Sequence, residues 1–250
     1  MESVVPFDPV PRAELVESLV MNGDKRLYHR FRAAPYYGGI ATADAVGCSF
    51  LCAYCWNYGR NLNPSRYGTF CSSRDVAANL LSIARKKSFH LYRITGSEPI
   101  LGEQSFQHLL NVLQALFRQD PLGVFILETN GFVLGLHKEW ADKLVFKNIR
   151  VRVSLKGADP GSFERIAGAK REFFPYPFLA LKQLEDKGLK AWPAVMIDFF
   201  DEGEIRNLRG ILKEYYIKSD LEFETLEAYP FVVENLKRRN ISLRQSMDFA

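Results

Sequence analysis

The sequence predicts a single α/β domain, built either as an open partial (β/α)6 barrel or as a doubly wound sheet. Three observations predict it. Short strand-like runs alternate with longer helical runs about six times from Gly39 onward. One of those strands, GVFILET (Gly123 to Thr129), is apolar almost throughout, as a parallel strand covered on both faces must be. The chemically distinctive residues gather at or just after strand ends, where α/β folds place their sites. Residues 39–230 carry the alternation without a linker, repeat or low-complexity segment. Residues 1–38 read as a helical or irregular N-terminal extension packed on that domain, and 231–250 as a C-terminal tail.

GIATADAV (Gly39 to Val46) is the first strand and runs into the stretch GCSFLCAYCWNYGRN. SRDVAANLLSIARKK sets Val76, Leu80, Leu81 and Ile83/Ala84 in a helical rhythm, with Ser73 as its N-cap. FHLYRIT (Phe89 to Thr95) is the second strand, broken by GSEP, and SFQHLLNVLQALFRQD is a helix that stops before Pro121. GVFILET follows, then HKEWADKLV as a modest helix and NIRVRVSLKG as a strand ending in Gly157. PYPFLALKQLEDKG is a helix closed by Gly188. The next strand, LKAWPAVMID (Leu189 to Asp198), contains Pro193, whose missing amide implies an edge, a bulge or a strand end. EIRNLRGILKEYYIKS is a helix, and LEFETLEAY (Leu221 to Tyr229) is the last strand.

A chain of 250 residues can bury roughly 70–75% of its unfolded surface, enough for a large core. Its net charge of +4 is mild. ARKK and KRR are short and read as solvated faces, so nothing announces a nucleic-acid partner. No apolar run approaches a membrane span, and MESVVPFDPVPRAEL lacks the basic-then-apolar order of a signal peptide. A cytoplasmic setting is therefore expected. There, clustered cysteines bind metal or do redox work more often than they form disulfides.

Three of the four cysteines stand as Cys48-x3-Cys52-x2-Cys55, and Cys71 lies alone downstream. A structural zinc needs four ligands, usually two C-x2–4-C pairs, and the second pair is absent; zinc on all four cysteines stays open as an alternative. A 4Fe–4S cubane held by three thiolates keeps its fourth iron open, whereas electron-transfer clusters usually close it with a fourth cysteine. Tyr54, just before Cys55, would set a flat apolar shoulder beside that iron. Cys71 reads as a packed thiol, and His29, His90, His108 and His137 have no partner at ligand spacing. The aromatic stretches FFPYPF and DFFDEG read as packing.

After the next strand, Gly96, Ser97 and Glu98 of GSEP offer carbonyls and a carboxylate as acceptors for a ligand's ammonium. ETNG brings Glu128 and Asn130 as partners for ribose hydroxyls or a carboxylate, and SLKG brings Ser154 and Lys156 to one side of a strand. The cysteine loop resembles the hallmark of the radical S-adenosylmethionine (radical SAM) superfamily, and GSEP resembles its Gly-Gly-Glu motif, with Ser97 in place of the second glycine. The resemblance covers about Ile40 to Tyr229. It implies the partial (β/α)6 radical SAM barrel, a single 4Fe–4S cluster on Cys48, Cys52 and Cys55, and S-adenosylmethionine held by Tyr54, Gly96–Glu98 and the later strand ends. It further implies reductive cleavage to a 5′-deoxyadenosyl radical, a one-electron donor such as a flavodoxin or ferredoxin, and an unidentified substrate, small molecule or protein.

With SLKG followed by FERIAGA, then LKAWPAVMI and LEAYP, the pattern looks most like glycyl-radical-enzyme activases. In those, an acid and a lysine at the matching positions contact S-adenosylmethionine, which implies the same for Glu128 and Lys156. Ala194 and Pro230 stand where activases tend to carry an arginine and a histidine, which puts a glycyl radical enzyme as partner in doubt. Activation of such a partner protein remains the first alternative. A non-catalytic zinc or iron–sulfur module is the second.

Overall fold

The computed structural model describes residues 5–215 and 217–244. Helix α1 (Pro9–Val20) leads into β1 (Met21–Asn22) and β2 (Lys25–Ala34), and β3 (Ile40–Ala45) ends at the cysteine loop. Then come α2 (Tyr58–Leu62), β4 (Thr69–Cys71), α3 (Ser73–Lys87), β5 (Leu91–Thr95), α4 (Glu103–Gln119) and β6 (Val124–Thr129). Helix α5 (Phe132–Leu136), β7 (Ile149–Leu155), α6 (Pro160–Ala167), α7 (Tyr176–Asp186) and β8 (Lys190–Met196) follow. The described chain closes with α8 (Glu202–Glu214), β9 (Glu222–Glu224) and α9 (Pro230–Arg238).

The sheet runs β1-β2-β3-β5-β6-β7-β8-β9, with β4 added on β2. From β3 to β9 every neighbour is parallel, which makes six parallel strands in one α/β domain. Alternate residues point to opposite faces. Ala41, Ala43, Phe125, Leu127, Val151, Val153 and Val195 face the helices and form the main core. The other parity meets across an interior lumen: Arg93 of β5 donates to the Thr42 hydroxyl of β3 and pairs with Glu128 of β6, and Arg152 of β7 pairs with Glu222 and Glu224 of β9. Ala34, Ile40 and Ile126, with Leu91 and Trp192 against them, floor that lumen. This inward convergence makes the sheet a partial barrel and not a doubly wound layer.

Several elements differ from the expectations. The N-terminal extension is no mere irregular addition, because β2 pairs antiparallel with β3 along its length. Its arginines hid it: Arg30 and Arg32 are held by the Asp44 carboxylate, and Arg26 by loop carbonyls, so its burial does not alternate cleanly. Helix α3 is capped by Ser72 and not Ser73, because Asp75 three residues on returns the bond to the Ser72 amide. HKEWADKLV forms a 3-10 stretch, Lys138–Lys143, behind the unforeseen α5. The last strand is only Glu222–Glu224: the Asp198 carboxylate accepts from the Leu226 amide at 2.8 Å and draws that backbone out of the ladder. Pro193 sits inside β8, but β9 pairs with β8 only from Ala194 onward, so the proline has strand on one side alone. Pro230 opens α9, so the tail after 230 begins as a helix.

Candidate active site

The cysteine loop leaves β3 through Gly47, at φ 91° and against α1, where a Cβ would come within 2.6 Å of a Val16 methyl carbon. Phe50, Leu51 and Ala53 are buried between the cysteines and anchor them. The Leu51 and Ala53 amides donate to the carbonyls of Ala167 and Ile166 at 3.1 and 2.9 Å, and Phe50 packs edge-on against Phe163. The FERIAGA segment, the end of α6, is thus the shelf on which the loop rests.

All three thiols are free. Burial pushes each of them up, Cys55 to about 11, and the neighbouring cysteines add to the rise at Cys48 and Cys55. Opposing this, Lys156 and Arg239 act on Cys52, and amide donors reach the other two sulfurs. Buried thiolates that crowd one another call for a cationic partner, so the donor set fits an iron–sulfur cluster. Among the described residues no three His, Cys, Asp or Glu side chains converge as ligands of one metal ion. A cubane does not require that, because each thiolate takes its own iron.

The GSEP turn meets this loop from β5. Gly96, at φ 84°, lays its carbonyl on the Asn57 side-chain amide at 2.6 Å. The Ser97 hydroxyl is buried with no hydrogen-bond partner among the described residues. Glu98 does not offer its carboxylate to a ligand: one oxygen accepts from the Ile100 amide and the Thr129 hydroxyl, and the other from the Asn130 amide at 2.7 Å. Burial pushes Glu98 up to about 7, against those three bonds and nearby Arg26. Arg26, fully buried, donates to the carbonyls of Val46, Glu98 and Pro99, and so ties the base of the cysteine loop to the GSEP turn.

Glu128 does face the lumen. It accepts from Arg93 at 2.7 Å, from the Thr95 hydroxyl at 2.6 Å and from the Tyr37 hydroxyl at 3.2 Å. Burial alone would raise it, but Arg93, Thr95 and Arg152 outweigh burial and hold it below the usual carboxylate range. Asn130 turns toward the cysteine loop instead, donating to the Ser49 hydroxyl at 3.0 Å. Lys156 donates to the Ser154 hydroxyl at 2.6 Å and lies over the Tyr54 ring, which itself stacks on Phe199. Burial would lower Lys156, but Tyr54, Cys52 and Glu224 raise it, so it is a cation.

The loop and strand ends therefore bring together Cys48, Cys52, Cys55, Tyr54, Ser97 and Lys156. Unforeseen neighbours are Arg26, Asn57, Asn61, Arg93 and Arg152; charged residues in mid-strand, as in HLYRIT and IRVRV, were the one signal for the last two. His108 is a packing residue, held between the Asp24 carbonyl at 2.8 Å and the Tyr28 hydroxyl at 3.1 Å. Cys71 lies in β4, away from the cysteine loop in the chain, opposite Arg26. A surface hollow lined by Arg150, Glu185, Lys190 and Lys218 opens at the far ends of β7 and β8, and no candidate residue lines it.

Comparison with known proteins agrees with this geometry. The sequence is similar to GTP 3′,8-cyclase of Nostoc sp., 26% identical over 123 residues, 49% of this chain and 35% of that protein. The fold is similar to Streptococcus suis SuiB bound to S-adenosylmethionine, with TM-score 0.56 and 16% identity over 81% of this chain and 45% of SuiB. It is also similar to spore photoproduct lyase complexed with a dinucleoside spore photoproduct, with TM-score 0.59 and 16% identity over 88% of this chain and 66% of the lyase. The chain spans about a third of the cyclase and less than half of SuiB. The family model described as Radical SAM superfamily matches residues 44–208, from the last residues of β3 into α8. With its three-cysteine loop at the mouth of a six-stranded partial barrel, the chain belongs to the radical SAM superfamily of enzymes.

Proposed function

We propose that the chain holds one 4Fe–4S cluster on Cys48, Cys52 and Cys55, binds S-adenosylmethionine across the strand ends, and abstracts hydrogen from a substrate in the lumen. One observation carries this. Three reduced thiols on one loop stand beside the Ser97 hydroxyl, which has no hydrogen-bond partner among the described residues, and the Lys156 ammonium, whose bonded partner, the Ser154 hydroxyl, is neutral. Glu224, the acid that bears on Lys156, is itself paired with Arg152 at 2.9 Å. A ligand carrying both an ammonium and a carboxylate completes both groups.

When bound, the cluster and S-adenosylmethionine supply a 5′-deoxyadenosyl radical by one-electron cleavage, which takes a hydrogen atom from the substrate. The chain's own residues do the rest. Lys156 offers the ligand's carboxylate a charge-assisted bond, with Ser154 setting its direction. Ser97 accepts from the ammonium. Tyr54, backed by Phe199, presents a flat wall that excludes water. Beneath them, the Arg93–Glu128 and Arg152–Glu222 pairs give the lumen a polar lining over an apolar floor. The electron comes from a flavodoxin or ferredoxin type of donor. Among the described residues no helix is long and apolar enough to cross a membrane.

The narrower likeness to activases rests on the strand-end motifs alone. Anaerobic reconstitution with iron, sulfide and zinc analysis, followed by dithionite-driven formation of 5′-deoxyadenosine, tests the proposal. About four iron and four sulfide per chain, with turnover lost in Cys52→Ala, is the expected result. One zinc and no iron overturns the cluster. A loaded protein that makes no 5′-deoxyadenosine overturns catalysis.

A further inference from the structure

We infer that Asn61 and Asn130 are N–H donors to the cluster thiolates, placed to raise its reduction potential, with Asn130 giving its second N–H to the Ser49 hydroxyl at 3.0 Å. The inference rests on the cluster proposed above. The Asn61 side-chain nitrogen lies 3.6 Å from Cys55 Sγ, and that of Asn130 lies 3.8 Å from Cys48 Sγ. The two come from unrelated places, α2 and the turn after β6, yet they are built alike.

In each, a backbone amide fixes which end of the side chain meets the sulfur. Asn61 Oδ1 accepts from the Gly47 amide at 3.2 Å, and Asn130 Oδ1 accepts from the Phe132 amide at 2.9 Å. An oxygen that receives an N–H cannot exchange places with the NH2 group, so the donor end faces sulfur in both. Both residues are almost fully buried, 2% and 5% exposed, so water does not compete for the N–H. Asn61 is held further by its own carbonyl, which accepts from Arg12 at 2.9 Å. Among the described residues no side-chain amide is bonded to Cys52; the charges of Lys156 and Arg239 act on it instead.

Reduction adds negative charge to the cluster, and part of it resides on the thiolate sulfurs. An N–H dipole aimed at sulfur stabilises the reduced state more than the oxidised one, so the potential rises. Burial of the loop acts in the opposite sense. The asparagines thus offset part of what burial does to the potential.

Asn61→Asp tests this in the full-length, reconstituted protein at pH 8. The carboxylate keeps the size and the acceptor for Gly47, and lacks the N–H. Expected are unchanged iron and sulfide per chain, a midpoint shifted negative in an EPR-monitored redox titration, and a smaller fraction reduced by a fixed dose of dithionite. Pulsed EPR should also lose one exchangeable-proton coupling, the readout that separates loss of the N–H from the charge the carboxylate adds; a shifted midpoint with that coupling retained overturns the inference. Asn130→Asp, which keeps the acceptor for Phe132, should shift the midpoint in the same direction. A loaded Asn61→Asp protein with the wild-type midpoint overturns the inference, and so does failure of both variants to load, which would make the asparagines structural braces. A wild-type protein that takes up no iron and sulfide overturns the cluster itself before any variant is made.

Discussion

Glu98 and Glu128 stand at the ends of neighbouring strands, one βα unit apart, and each belongs to a short acid-bearing motif, yet their surroundings are opposite. Glu98 lies on the cysteine-loop side among neutral donors, two backbone amides and a hydroxyl, and is pushed up to about 7. Glu128 lies on the lumen side, bonded to the Arg93 guanidinium, and is held low. One carboxylate braces two turns; the other is part of a charged lining. Strand parity separates them. Glu128 is still within β6 and points inward beside Thr95 and Arg152. Glu98 comes three residues after β5 ends, past the left-handed turn at Gly96, where alternation no longer applies. A motif places a carboxylate at the mouth of the barrel, and local backbone decides what it does there.

The largest effect should come from breaking the lumen side. Arg93→Met leaves Glu128 buried without its cation, and an uncompensated buried charge costs roughly 3–5 kcal/mol. Urea unfolding should show that loss. Adding Glu128→Gln should restore part of it, because the remaining Thr95 and Tyr37 bonds suit an amide. A double variant no more stable than Arg93→Met would mean that the pair is incidental and that Arg93 acts through Thr42 and the Tyr36 ring, 4.7 Å away.

The next effect is on pH dependence and concerns the other carboxylate. Glu98, raised to about 7 when folded, keeps its proton in the native state between about pH 4.5 and 7 while the unfolded chain has lost it, so stability falls as pH rises. His108 works the other way. Burial lowers it to about 4, so between about pH 4 and 6.5 the unfolded chain binds the extra proton and stability falls as pH drops. Each slope is at most about 1.4 kcal/mol per pH unit, and in their shared window they oppose each other. The wild-type protein, reduced and metal-free, should therefore show a nearly flat urea midpoint from pH 5 to 6.5. Glu98→Gln should expose the histidine slope and His108→Gln the carboxylate slope. Parallel profiles for the two variants would sink this account.

Much of the architecture was legible because it is periodic. Five of the six parallel strands, the core of the shortened sixth, the helices α3, α4, α7 and α8, and the cysteine loop lie where spacing and strand ends put them. Less legible was anything that depended on distant partners. Strand β2 reads as a basic run until Arg26 finds the carbonyls of residues 46, 98 and 99, and Arg30 and Arg32 find Asp44. Asn61 carries no motif at all; only the fold brings it to Cys55 and Gly47. In GSEP the glutamate attracts the eye as the charged residue, whereas the serine next to it is the side chain left unpartnered.

That serine gives the smallest effect on the fold and the sharpest contrast with Glu98. Because the Ser97 hydroxyl has no partner among the described residues, Ser97→Ala removes a buried polar group without breaking a bond seen there. Stability should change by no more than about 0.5 kcal/mol, and in the favourable direction if the orphan is costly. Binding should respond differently. If Ser97 accepts from the ligand's ammonium, the variant loses one charge-assisted bond, and the dissociation constant for S-adenosylmethionine on the reconstituted protein should rise by roughly tenfold, about 1.4 kcal/mol. Glu98→Gln should show the reverse ranking, with a loss of about 1–3 kcal/mol in stability from mismatched donors. Its intrinsic affinity should change less than that of Ser97→Ala once folding is allowed for. Equal loss of affinity in both variants would show that the turn acts only as a rigid body, and that the orphaned hydroxyl does not touch the ligand.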